Sequence, residues 1–283
     1  MRKIILFLSL CMWLLGGISA NAARVDTLQV RSNKMGRSIP VLVVVPEELH
    51  PFQQIPTVYM LHGHSGCETS WLKDVQPKLK EWAERDQILI VCPDGENSWY
   101  WDSPLDAKSQ FETFVSKELV RYIDSNYPTR PNRLSRAITG LSMGGHGALW
   151  LAIRHKDVFG AAGSTSGGVD IRPFPKNWNM SKQLGEYKDN KSRWDAHTVM
   201  TQLDKIKNEE LVLIIDCGNE DFFYEVNCRL HEELLKRGIY HDFIIRPGKH
   251  NWLYWRNSIA YQWLFFKNFF EGYRTQVNFS NQK

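Results

Sequence analysis

Residues 137–153 read AITGLSMGGHGALWLAI. The stretch opens as a short apolar strand, Ala137-Ile138-Thr139, and closes as an apolar helix, with one serine and four glycines crowded between them. Gly140-Leu141-Ser142-Met143-Gly144 fits G-x-S-x-G. In that motif a sharp strand-to-helix turn holds the serine in strained backbone, and the glycines remove side chains that would clash. The hydroxyl is lifted above the sheet, where the amides of the next helix favour developing negative charge. Three fixed positions in five are weak alone; the strand before and the helix start after supply the context the motif needs.

A serine hydroxyl is a poor nucleophile without a base, and the base needs a carboxylate to orient it. On sheets that carry this turn the chain order is serine, acid, histidine. Downstream, the buried run Leu211–Ile215 leads into Asp216-Cys217-Gly218-Asn219-Glu220-Asp221. Asp221 is the acid expected, because the acid normally lies on the loop beyond the strand. Asp216, closer to the strand, and Glu220 stand behind it. A helix to Lys236 and a strand to Arg246 follow, then Pro247-Gly248-Lys249-His250-Asn251-Trp252, which makes His250 the expected base. His146, His231 and His241 lie outside that loop and read as packing, solvent-facing and strand-start residues. The second half of an oxyanion hole is expected after the third strand, in Met60-Leu61-His62-Gly63-His64-Ser65-Gly66. The backbone amides of His64 and Met143 are the expected donors, since glycines let the backbone approach a carbonyl closely. The alternative, His62 and His64 as zinc ligands, lacks a carboxylate or a third histidine at ligand spacing.

Apolar runs rich in β-branched residues recur along the chain at Leu28–Arg31, Ile39–Val45, Thr57–Leu61, Ile88–Cys92, Arg136–Thr139, Ala161–Ser164, Leu211–Asp216 and Asp242–Arg246. The first two read as antiparallel neighbours. Helical spacing marks Trp71–Glu84, Phe111–Asn126, Gly145–Arg154, Tyr224–Lys236 and Leu253–Phe270. The alternation predicts an α/β fold with a mostly parallel central sheet and helices on both faces. The irregular stretch from Ser166 to about His197 reads as an insertion over a sheet edge. Trp99, Tyr100 and Trp101 follow the fourth strand at the sheet end where ligands bind. They are expected to bind substrate, with Phe174, Trp178, Tyr187 and Trp194 of the insertion completing an aromatic cleft. The alternative is that these rings pack the insertion down.

The chain has 283 residues, 43% hydrophobic and 23% charged, with eleven tryptophans and fourteen phenylalanines. That excludes a disordered chain and suits one domain over residues 23–283. Residues 1–22 read as a signal peptide: Arg2-Lys3, an apolar Ile4–Ile18, and Ser19-Ala20-Asn21-Ala22 as an A-x-A-like site. The apolar core is short for a spanning helix, so cleavage, a secreted or periplasmic product and no later membrane insertion are expected. Losing Arg2 and Lys3 lowers the net charge by two, from +4 to +2, with no basic run to argue for nucleic acid. Cys67, Cys92, Cys217 and Cys228 remain; export permits disulfides, and their spacing matches no metal motif.

LHGHSG with Trp71 soon after, PDGENSWYWDSP, FETFVSKEL, GLSMGGHGAL, CGNEDFFYEVN and PGKHNWLYW occur in order from about Gly36 to Phe270. Together they resemble the α/β-hydrolase family that holds esterase D (S-formylglutathione hydrolase), tributyrin and feruloyl esterases and the mycolyltransferases. The resemblance implies an α/β-hydrolase fold, a triad of Ser142, Asp221 and His250, oxyanion amides at His64 and Met143, and no cofactor. Glu118 matches a family position without a catalytic role. The implied activity is an exported serine carboxylesterase acting on short-chain acyl or hydroxycinnamoyl esters, acetyl or feruloyl, free or on plant polysaccharide. Alternatives are an S-formylglutathione-hydrolase-like thioesterase, which belongs in cytosol, an acyltransferase, or a non-catalytic carbohydrate-binding relic, which a complete triad disfavours. A lipase would carry an apolar lid, whereas 166–197 is polar and charged. Oligomeric state is left open.

Overall fold

A computed structural model describes residues 23–272; the expected leader, residues 1–22, lies outside the described residues, as do residues 273–283. Eight strands form one sheet: β1 (Arg24–Ser32), β2 (Arg37–Val45), β3 (Thr57–Leu61), β4 (Leu89–Pro93), β5 (Arg136–Gly140), β6 (Ala161–Thr165), β7 (Val212–Gly218) and β8 (Asp242–Arg246). Their spatial order is β1-β2-β4-β3-β5-β6-β7-β8. The β1/β2 and β2/β4 pairs are antiparallel and every other pair is parallel. The helices are α1 (Leu79–Asp86), α2 (Phe111–Thr113), α3 (Val120–Asn126), α4 (Met143–Arg154), α5 (Met180–Leu184), α6 (Lys191–Ala196), α7 (Tyr224–Lys236) and α8 (Trp252–Phe270). A wider turn, Phe114–Leu119, joins α2 to α3 without a break.

The period-two geometry of a strand divides the core in two. In β2, Val41, Val43 and Val45 join the cluster under α2, α3, α4 and α7, while Leu42 and Val44 join the one under α1 and α8. Central strands covered on both faces carry apolar residues on both, which is why β3 and β4 read as unbroken apolar runs.

The helix expected over Trp71–Glu84 is two pieces. Pro77 has no amide to donate and disfavours helical backbone at the residue before it. Gln76 is extended at φ −139°, ψ 90°, so the turn Trp71–Val75 ends there and α1 starts afresh at Leu79. The stretch 166–197 does not lie over a sheet edge. It connects β6 and β7, which are internal strands, and its Trp178 ring meets Trp99 after β4 and Phe222 and Phe223 after β7. It therefore covers the carboxyl end of the sheet's centre. Glu118 is a tie between elements: it accepts from Ser32 Oγ at 2.5 Å and from the Lys34 amide at 2.9 Å, pinning the β1–β2 turn to the Phe114–Leu119 segment.

Glu112, at the start of the same helical run, is the more demanding carboxylate. It accepts from Trp150 Nε1 at 3.0 Å, Arg154 Nε at 2.8 Å and His155 Nε2 at 2.9 Å. Burial pushes its pKa up, but the bonds from His155 and Arg154 outweigh burial and hold the carboxyl below the usual glutamate range. Glu112→Ala strands a guanidinium, an imidazole and an indole N–H together, and a loss of about 2–4 kcal/mol in urea unfolding is expected. A folded-state pKa that is depressed contributes stability above the unfolded value and loses it as pH falls through the folded one. Wild-type stability should thus fall more steeply than that of Glu112→Gln below about pH 4.3, the ordinary glutamate value; parallel pH profiles would contradict the assignment.

Candidate active site

The turn between β5 and α4 forms because backbone passes over backbone with no room for a side chain. A Cβ on Gly140 would stand 2.2 Å from the Gly144 carbonyl oxygen, and one on Gly144 would stand 2.2 Å from that of Leu61. Real Cβ atoms do not approach so closely, and this fixes glycine at both positions. Between them Ser142 is held at φ 56°, ψ −118°, a conformation L-residues rarely adopt. Bonds on either side over-determine it: the Ser142 amide donates to Thr165 O at 2.9 Å and its carbonyl accepts from the His146 amide at 3.0 Å. The Gly144 amide turns back to Leu141 O at 2.7 Å.

Two further loops converge there. The loop after β7 and the loop after β8 are zipped together, Asn219 N to Arg246 O and Glu220 N to Gly248 O, each at 3.0 Å. This sets Asp221 against His250: Nδ1 lies 2.8 Å from Oδ2 and 3.0 Å from Oδ1. His250 Nε2 lies 2.9 Å from Ser142 Oγ. With the acid acceptor-only, Nδ1 carries the proton and donates to Asp221, which leaves Nε2 to accept from the serine hydroxyl. The Asp221 side chain has no solvent exposure, and the Phe223 amide also donates to its Oδ1 at 2.8 Å.

The other acids are engaged elsewhere. Asp216 lies within β7, where Tyr254 donates to it at 2.5 Å and the Arg246 guanidinium pairs with it. Burial raises its pKa, opposed by Tyr254 and Arg246. Glu220 is exposed beside Lys249 at 3.5 Å. The His64 amide follows β3 and that of Met143 opens α4; neither donates to an acceptor among the described residues. Ser65, next to His64, is held by its amide bond to Asn97 Oδ1 at 2.7 Å.

Both nitrogens of His62 are taken: Nε2 accepts from the Gly95 amide and Nδ1 donates to Gly63 O, each at 2.7 Å. Among the described residues no group of three or more His, Cys, Asp and Glu side chains is placed to hold a metal ion. His146 is a core residue. It accepts from Trp101 Nε1 at 2.9 Å and donates to Gly168 O, and burial pushes its pKa down to about 3. His231 and His241 bond to each other at 2.7 Å, joining α7 to the residue before β8. Cys92 and Cys217 are buried, and all four described cysteines are free thiols.

The expected wall of Trp99, Tyr100 and Trp101 is corrected. All three are at most 1% exposed. Trp99 and Trp101 stack on each other and close edge-on around His146, and Tyr100 donates to His62 O. Positive φ at Trp99 and Tyr100 (57° and 60°) folds the segment inward, and the Tyr100 hydroxyl ties it to the loop after β3. Of the aromatic rings that border the imidazole, Phe222, Phe223 and Trp255, the exposed one is Phe222, with ring centroids 4.2 Å apart, and the sequence alone did not mark it. Adjacency gives no signal of which ring faces out, since the neighbouring Phe265 and Phe266 are both buried in α8.

A model of the Esterase family matches residues 32–266. An acetyl esterase of Caldicellulosiruptor saccharolyticus is 27% identical over 232 residues, covering 75% of this chain and 84% of its own. Among solved structures, the fluorophosphonate-binding serine hydrolase FphF of Staphylococcus aureus superposes with a TM-score of 0.77 at 21% identity, over 87% of this chain and 99% of that one. A ferulic acid esterase superposes with a TM-score of 0.71 at 24% identity, over 88% and 99%. The likeness of these structures fixes the α/β-hydrolase fold, and with a family match spanning most of its length the chain belongs to the Esterase family, as a carboxylic ester hydrolase.

Proposed function

We propose that the chain is an exported serine carboxylesterase for acetyl or feruloyl esters, with Ser142 as nucleophile, His250 as base and Asp221 as its orienting acid. The observation that carries this reading is the unbroken relay of 2.9 Å from Ser142 Oγ to His250 Nε2 and 2.8 Å from Nδ1 to Asp221. His250 takes the hydroxyl proton as Ser142 attacks the acyl carbon, and the amides of His64 and Met143 hold the oxyanion. The imidazolium then protonates the leaving alcohol, and water repeats the sequence on the acyl-enzyme. Asp221 stays ionised and fixes the tautomer throughout.

The acyl class draws on two relatives. One is an acetyl esterase and one structural neighbour is a ferulic acid esterase. Export rests on the leader-like residues 1–22 and favours esters outside the cytosol, such as acyl groups on plant polysaccharide, over glutathione thioesters.

Hydrolysis of p-nitrophenyl acetate, p-nitrophenyl butyrate and methyl ferulate is the first test. Wild type is expected to cleave at least one, with Ser142→Ala and His250→Ala each lowering kcat by about 10⁴–10⁶-fold. Asp221→Asn, which preserves shape and offers the wrong tautomer partner, should cost about 10⁴-fold. Undiminished turnover by Ser142→Ala would sink the assignment.

A further inference from the structure

Resting on that reading, we propose that Phe222 and Trp178 form a platform for the alcohol half of the ester, and that it selects a flat-faced sugar ring over a simple alkyl group. The leaving oxygen must come within hydrogen-bond reach of His250 Nε2 to be protonated. Whatever that oxygen carries therefore emerges beside the imidazole. Most sides of the ring are closed: Ser142 and Asp221 hold its two nitrogens, while buried Trp255 and Phe223 meet it edge-on at 4.9 and 5.5 Å. Phe222, at 4.2 Å and tilted by 36°, is the remaining neighbour, and it is 51% exposed.

Exposure of this ring is not forced on the chain. Its neighbour Phe223 is buried, and a half-wet phenyl forgoes the hydrophobic gain of burial. Grouped, exposed rings mark contact surfaces. Phe222 is so grouped: Trp178, half-buried, stacks on it at 5.7 Å and 25°. Trp178 is itself backed by Phe174 and Trp99, at 5.6 and 5.9 Å, which keeps it from folding away. The Trp178 backbone lies next to the His64 imidazole on the oxyanion loop. The pair thus bridges from the loop holding the acid to the loop expected to hold the oxyanion, across the approach to Ser142.

The chemistry suits a sugar. A furanose or pyranose presents C–H groups on one face and hydroxyls at its rim, matching an apolar ring with water around it. Exposed Glu220 and Lys249 stand beside Asp221 and His250 on the loops after β7 and β8, with polar groups for rim hydroxyls. A long alkyl alcohol gains most where it is enclosed, whereas Phe222 is 51% exposed.

The test compares methyl and pentosyl esters of the acyl group preferred in the esterase assay. In Phe222→Ala the ratio of kcat/KM, pentosyl over methyl, should fall about tenfold, chiefly through KM, with Trp178→Ala moving it the same way. Phe222→Trp, which restores a flat face, should return the ratio to within about twofold of wild type. If Phe222 only packs His250 in place, both esters lose the same factor, the ratio stays at the wild-type value and the platform is excluded. Should Phe222→Ala not fold, Phe222→Leu serves, since it fills space without a flat face. Failure of wild type to cleave either ester would instead overturn the esterase reading, so the two failures are separable.

Discussion

Everything at the site depends on the backbone of Ser142 being held where an L-residue resists going. The φ of 56° and ψ of −118° are kept by bonds to Thr165 and His146, and by the fit of Gly140 and Gly144 against backbone with no space for a methyl group. Strain of this sort costs about 1–3 kcal/mol and persists only where the surroundings over-determine it. Here the surroundings are the sheet's centre. β5 pairs with β3 along its whole length, and Gly144 is packed against the end of β3, so the turn cannot relax without moving both strands. The same contact puts the His64 loop, which leaves β3, beside the serine.

Asp221 and His250 reach that serine by a second constraint. β7 and β8 are parallel neighbours whose exit loops are bonded amide to carbonyl, which holds Asp221 and His250 against each other. Beneath them Asp216, Arg246 and Tyr254 form a buried charged group that ties the ends of both strands to α8. Removing either charge would leave the other buried and uncompensated. The floor of the candidate site is therefore cross-tied between β7, β8 and α8.

How much of this was legible in sequence follows from which quantities are local. Strand and helix positions were, because period and apolar runs are local; the one split helix turned on Pro77, whose effect on Gln76 is also local. The positions of Ser142, Asp221 and His250 after their strands were legible, because chain order fixes on which loop each lies. What was not legible was whether an aromatic side chain on a loop at the right end of the sheet points in or out. Trp99, Tyr100 and Trp101 lie in such a loop and face the core, because left-handed backbone at two of them reverses the segment. No spacing rule announces left-handed conformation at tryptophan or tyrosine, which carry a Cβ penalty there. The placement of residues 166–197 over the sheet's centre was hidden for the related reason that it is set by long-range ring contacts.

The aromatic neighbours of His250 also bear on the proposed chemistry. In the mechanism the imidazole becomes a cation only while the tetrahedral intermediate exists. Its positive charge then faces the fully buried carboxylate of Asp221 on one edge and the ring of Phe222 at 4.2 Å. A carboxylate shielded from water and an aromatic face both favour the charged form over the neutral one. Their attraction is thus stronger at the intermediate than in the resting state, which is the condition for an interaction to accelerate a reaction instead of merely holding the enzyme together. Phe222 would then serve two needs with one ring: part of it attends the imidazolium, and the part left in water meets the alcohol that the same imidazolium protonates.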